Sequence, residues 1–153
     1  MGLDMFFVKI KATNPVNFDE CGRIINDDGN IITNYYNLGS WNKYNFIEVF
    51  LLENTIIDNN NYNIDDNVIN KLMFYIRHDL DYIASLCIID GNFNKDIYDN
   101  IEKYINSDIL KLQTCHAYGD MIYDKYHIMV LQNILDYLNN SKEIEGKYYF
   151  RCI

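Results

Sequence analysis

Proline is nearly missing from this chain: Pro15 is the only one in 153 residues. That excludes a stiff Pro-rich linker, and the seven scattered glycines supply no flexible one. With no composition break and no internal repeat, residues 1–153 read as one domain. The glycines also form no G-x-G-x-x-G, P-loop or G-x-S-x-G, so dinucleotide, nucleotide-phosphate and hydrolase fingerprints are absent. Positive charge is scarce. Thirteen Lys and Arg face 22 Asp and Glu, for a net charge of -9. Nucleic-acid affinity rests largely on neutralising phosphates, so direct DNA or RNA binding is not expected. Acidic membrane surfaces are disfavoured on the same ground. No apolar run approaches the ~20 residues needed to cross a bilayer.

The four cysteines, Cys21, Cys87, Cys115 and Cys152, include no C-x-x-C pair and no paired His motif. They read as reduced, mostly buried thiols of a cytoplasmic protein. The opening Met1-Gly2-Leu3-Asp4-Met5 lacks a basic flank and does not read as a secretory signal.

What the chain does have is apolar bulk: 49% hydrophobic residues, among them 14 Tyr and 8 Phe. A chain of this length buries roughly two thirds of its unfolded surface and needs no metal or disulfide staple. Tyrosine carries a large ring and a hydroxyl that seeks a partner or water, which suits both core rims and contact surfaces. The abundance of Asn, Ile, Tyr, Lys and Asp points to an AT-rich coding sequence.

Along the chain, Val8 and Ile10 alternate with Lys9 and Lys11, which predicts a half-buried strand over Met5 to Ala12, ended at Asn14-Pro15. Cys21 to Asn34 predicts a hairpin, with arms Arg23-Ile24-Ile25 and Ile31-Ile32-Thr33 about an Asp28-Gly29 turn. Ser40 suits the N-cap of a helix from Trp41 to about Glu53, with Phe46, Ile47, Phe50 and Leu51 as its apolar stripe. Asp58 to Asn63 reads as a polar loop. A second helix starts at Asp65 or Asp66, buries Ile69, Leu72, Ile76, Leu80 and Ile83, and has a candidate break near His78-Asp79. Asp90-Gly91-Asn92 is a turn. A third helix from about Asn94 to Asn106 points Ile97, Ile101, Tyr104 and Ile105 inward. Leu112 to Met121 reads as extended. A last helix, Asp124 to Asn139, places Ile128, Leu131, Leu135 and Leu138 on one face, and Lys147 to Ile153 is a terminal strand. The fold class is α+β: a small antiparallel sheet from both termini, packed by about four helices.

Candidate chemistry is thin. Cys115 and His116 are adjacent, so on a strand they point to opposite faces, and Cys115 would need His78 or His127 from elsewhere. His78 and Asp81 are i,i+3 neighbours, and His116 with Asp120 adds ligand types, but convergence on one point is what a metal needs. The plain reading of His78-Asp79-Leu80-Asp81 is a solvated helical face. Asp27-Asp28-Gly29-Asn30 lacks the alternation and closing Glu of a calcium loop. No metal and no cofactor are expected.

The motif Met1-Gly2-Leu3-Asp4-Met5-Phe6, together with Trp41, Lys43, Asn45 and Ile47 in a W-x-K-x-N-x-I segment, resembles small phage and prophage proteins that begin M-G-L-D-M-[YF]. Thr114, Gly119, the Tyr123-Asp124-x-Tyr126 run and the aromatic Tyr148-Tyr149-Phe150 are similar too, while Glu48 stands where that family often has His. The resemblance implies a viral or prophage origin and a host-cell cytoplasmic setting, and carries no activity with it.

Two functional expectations follow. The first is an acidic, non-enzymatic phage accessory protein that binds and inhibits a host protein, such as a defence or nucleic-acid-handling factor, by charge mimicry. Self-association stands beside it as a partner expectation. The alternative is a small-molecule or nucleotide binder with a cleft formed by Asp4, Trp41, Lys43, Asn45, Tyr118, Tyr123 and Tyr126. That alternative requires a local cluster drawn from Lys43, Arg23, Lys125 and Arg151. An enzyme built on Cys115, His116 and Asp120 ranks last.

Overall fold

A computed structural model describes residues 4–11, 16–42, 46–55, 57–58, 61–114 and 123–152; for 4–5, 40–42, 46, 57–58, 61–63, 113–114 and 152 the description is of the backbone. In chain order the strands and helices are β1 Asp4–Ile10, β2 Val16–Phe18, β3 Ile24–Asn26, β4 Tyr36–Asn42, α1 Phe46–Asn54, β5 Ile57–Asp58 and β6 Asn61–Ile64. They continue as α2 Asp66–Leu86, β7 Ile88–Ile89, β8 Asn92–Phe93, α3 Lys95–Asp99, α4 Lys111–Thr114, α5 Lys125–Ser141 and β9 Lys147–Cys152. Two 3₁₀ turns, Ile101–Lys103 and Ser107–Ile109, link α3 to α4. The class is α+β, as the sequence predicts.

The main sheet runs β4-β1-β9-β6-β5 and every pairing in it is antiparallel. The first and last strands are therefore neighbours at its centre, with Phe7 opposite Phe150 and Val8 opposite Tyr149. Side chains alternate across a strand, so one face of this pair carries Phe7, Tyr148 and Phe150 into the helical core with Leu72, Ile76, Leu131 and Leu138. The other face carries Val8, Ile10 and Tyr149 into a second core under the β2–β3 hairpin, with Val16, Phe18 and Ile24. Both faces are thus covered.

This overturns the half-buried reading of β1. Lys9 is 6% exposed, while its neighbour Lys11 lies in solvent beside Glu145 at 2.9 Å. The Lys9 ammonium donates to the Ser141 carbonyl at 2.8 Å and to the Tyr148 hydroxyl at 3.3 Å, and sits 4.5 Å from the Tyr148 ring centre. A cation there meets the negative end of the α5 dipole and the last carbonyls of that helix. Ser141 completes the trio, its Oγ 2.8 Å from the Tyr148 hydroxyl and donating to Leu138 O at 2.7 Å.

The helices with strong local signals form where expected. Asp65 caps α2 by accepting the Val68 N–H at 3.0 Å, and Asp124 caps α5. α2 runs unbroken through His78-Asp79. Four other expectations fail. Ser40 and Trp41 belong to β4, not to a helix: Trp41 pairs with Met5 and Asn42 with Asp4, and α1 starts at Phe46. The polar segment Asp58 to Asn63 supplies β5 and β6, because β9 needs a partner on its second side and backbone groups serve whatever the side chains. The third helix stops at Asp99, gives way to 3₁₀ turns, and leaves Tyr104 51% exposed. Leu112 lies in the helical turn α4, which opens at Lys111, instead of an extended stretch, and residues 115–121 of that reading lie outside the described residues. The Asn26–Asn30 turn forms as expected, but Ile25 and Ile31 make only a single bridge. The principal partner of β3 is β2.

Two glycines give a direct test. Gly91 sits at φ +78 with open space around it, whereas at Gly146 (φ +146) an added Cβ would lie 2.6 Å from the Ile10 carbonyl oxygen. Gly91→Ala is expected to cost about 1 kcal/mol, from backbone conformation alone. Gly146→Ala is expected to cost about 3 kcal/mol, because β1 must move away from the turn into β9. Urea midpoints of the two variants check the order.

Candidate functional site

The expected cleft does not assemble as written. Asp4 and Trp41 are brought to the same end of the sheet on adjacent strands. Lys43, Asn45 and Tyr118 lie outside the described residues. Tyr123 is 3% exposed, with its hydroxyl directed at Asp79, so it offers no ring to a ligand. Tyr126, in the first turn of α5, is 58% exposed.

Tyr123 points instead to a residue that the sequence disguises. Asp79 has no solvent exposure, which corrects the reading of His78-Asp79-Leu80-Asp81 as a solvated face. Its Oδ1 accepts the Lys111 N–H at 2.7 Å and lies 3.1 Å from His78 Nδ1. Its Oδ2 accepts the Leu112 N–H at 3.1 Å and the Tyr123 hydroxyl at 3.3 Å. Burial, and then the carboxylate beside it, push the Tyr123 hydroxyl well above its ordinary range, so it stays protonated and donates. Donors on both oxygens hold Asp79 in place. It satisfies the first amides of α4 and ties that turn to α2 and to the entry of α5.

The described imidazoles are similarly engaged. His127 occupies the third position of a capping box: Asp124 Oδ1 accepts the Tyr126 and His127 N–H groups at 3.0 and 3.1 Å, and the ring reaches back to the Asp124 N–H at 3.4 Å. The ring stacks on Tyr123 at 5.7 Å. Burial lowers the His127 pKa, against the opposing pull of Asp124. Cys115, His116 and Asp120 lie outside the described residues. Among the described residues no group of three or more His, Cys, Asp and Glu could hold a metal ion. Cys87 is buried and Cys21 is exposed, both as free thiols, so the expectation of burial holds at only one of them. No helix is long and apolar enough to cross a membrane among the described residues.

Two concavities stand out among the described residues. One, about 420 Å³, lies between the edge strand β4 and α5, lined by Asn37, Leu38, Gly39, Val130, Asn133, Ile134 and Tyr137. Tyr36 packs edge-on against Tyr137 at its end, with ring centres 6.2 Å apart. Along the outward face of α5, Tyr126, Met129 and Tyr137 are 58%, 49% and 44% exposed, and helical spacing puts them in one stripe with Asn133. The other concavity lies on the opposite face of the sheet, under the β2–β3 hairpin. Neither was legible in the sequence. The stripe on α5 had a readable signal in the Tyr126, Met129, Asn133, Tyr137 spacing, but the strand opposite it had none.

The Asp79 and His127 contacts set stability. Asp79→Ala removes an acceptor from the Lys111 and Leu112 amides and from the Tyr123 hydroxyl, an expected loss of about 3 kcal/mol. Hydrogen exchange should show the Lys111 and Leu112 amides accelerating first, and unchanged protection there would refute the role assigned to Asp79. Because the folded pKa of His127 is lowered, the unfolded chain takes up its proton more readily. Its contribution is therefore complete above the ordinary value of 6.5 and is lost as pH falls below that value. His127→Gln keeps the capping-box geometry. Its urea midpoint should decline less than that of the wild type between pH 7 and pH 5, and parallel profiles would contradict the assignment.

The chain matches no protein-family model, no curated protein and no solved structure.

Proposed function

We propose that this protein acts by contact, binding a partner protein in the host cell through the uncharged face built from β4 and α5, and inhibiting it by occupying its surface. The observation that carries the reading is the groove between an edge strand and an aromatic-lined helix. Among the described residues β4 pairs with β1 alone, so its outer edge is available to an added strand. Residues 29–42 contain no charged side chain, in a chain that is 23% charged. Lysine and proline, the usual guards of an exposed edge, are absent from that stretch. An extended segment of the partner laid along β4 would meet Val130 and Tyr137 across the groove, the strand-addition mode of peptide recognition. Exposed tyrosines beside such a groove are of the type that anchors interfaces. The net charge of -9 on the chain raises the rate of encounter with a basic partner.

Affinity capture from a host lysate tests the reading when run with paired baits. The wild type should retain a stoichiometric protein, and Tyr137→Ala should weaken its retention about 30-fold, the usual loss of one aromatic anchor. Tyr104→Ala, an exposed tyrosine far along the chain from the groove, serves as the matched control and should retain it fully. Equal recovery on all three baits would refute the groove as the contact site. Retention that resists raised salt would remove charge mimicry while leaving the contact itself in place.

A further inference from the structure

The second concavity carries a separate inference. It occupies about 350 Å³ between the outer face of β1 and the β2–β3 hairpin with the segment that follows it. Phe6, Val8, Phe18, Ile24 and Ile32 form its apolar walls, and Arg23, Thr33, Asn37 and the Cys21 thiol stand among them. An apolar cleft of this size with a few polar groups is the usual form of a small-molecule site.

The charges beside it are not typical of the molecule. In a chain of net charge -9, two of its few cationic groups converge on one residue here. Arg23 donates from Nε to Asp19 Oδ2 at 2.6 Å, and the Arg151 guanidinium donates to the Asp19 carbonyl. Arg151 lies across from Phe6 on β9 and packs 5.5 Å from the centre of the Phe18 ring, so it stands directly behind two of the walls. Its Nε is buried with no hydrogen-bond partner among the described residues. Asp19 neutralises one guanidinium, and Glu20 beside it is exposed.

We infer that this cleft is a binding site for a small molecule with a flat apolar body and one anionic group, the body lying on Phe6, Val8, Ile24 and Ile32 and the anion meeting Arg23 at the mouth. The site is distinct from the β4–α5 groove and does not depend on it. Arg23 uses its Nε for Asp19, which leaves the guanidinium end for a ligand carboxylate, sulfonate or phosphate.

A matched pair of fluorescent probes tests it on the full chain. 1-Anilinonaphthalene-8-sulfonate carries the apolar rings and the anion, and N-phenyl-1-naphthylamine carries the same rings without it. The sulfonate should bind saturably at one site per chain, and at least about tenfold more tightly than the neutral probe, the value of one charge-assisted hydrogen bond. Arg23→Gln should abolish that preference and leave the neutral probe unchanged. Thr33→Trp, a substitution at an exposed residue of the lining, fills the cleft from its rim and should abolish both. The bound sulfonate should also slow alkylation of Cys21 by N-ethylmaleimide, read by peptide mass. Equal affinity of the two probes would overturn the proposal. So would sulfonate binding that survives Thr33→Trp, or a Cys21 alkylation rate that the sulfonate leaves unchanged.

Discussion

A buried carboxylate that is completely used organises the helical half of this protein. Asp79 sits on α2 and gathers two amides of α4 and the hydroxyl that precedes α5. A carboxyl group without exposure is tolerable only when its oxygens are satisfied, so these contacts support one another. The consequence is a fixed relation between three segments drawn from residues 79, 111 and 123. Their packing places α5 against the sheet and so determines which face of that helix remains outside. The stripe of Tyr126, Met129 and Tyr137 is exposed because Ile128, Leu131, Ile134 and Leu138 are committed to the core on the other side.

The sheet imposes the second constraint. Its central pair joins the two ends of the sequence, and both of its faces are covered, one by helices and one by the β2–β3 hairpin. A strand covered on both faces has no outlet for a lysine, and Lys9 is accommodated by the C-terminal carbonyls of α5 and the ring of Tyr148. The same arrangement creates the two concavities on opposite sides of the molecule. Where α5 meets the edge strand there is a groove suited to an extended chain. Where the hairpin lifts from β1 there is a pocket suited to a small molecule. Among the described residues, Asp79 accepts from the Lys111 and Leu112 amides and the Tyr123 hydroxyl, and His127 is engaged in a helix cap.

How legible each part was depended on the range of the interaction behind it. The caps at Asp65 and Asp124 and the apolar stripes of α2 and α5 are local patterns, and they appear in the structure within two residues of where the sequence puts them. Trp41 was misplaced because Ser40 is a good cap in isolation, while the pairing of β4 with residues near the N-terminus outweighs that preference. Asn61–Ile64 was missed because polar side chains resemble a loop, and only the open side of β9 makes a strand of them. Asp79 was misread because an acid between His78 and Leu80 resembles helix surface. Its three donors come from residues 32 to 44 positions further along.

By itself, then, the sequence determined the α+β class, the two long helices, the terminal strands and the acidic, proline-poor character, since these follow from composition and from patterns repeating within one or two helical turns. Tertiary structure alone decided the strand order, the burial of Lys9 and Asp79, the fate of Trp41 and Tyr123, and both concavities. The reason is one of distance along the chain: Lys9 meets Ser141 across 132 positions, and Arg151 meets Asp19 across the same span. No local periodicity encodes a contact of that range, so the chemistry of each surface became readable only when those partners were side by side.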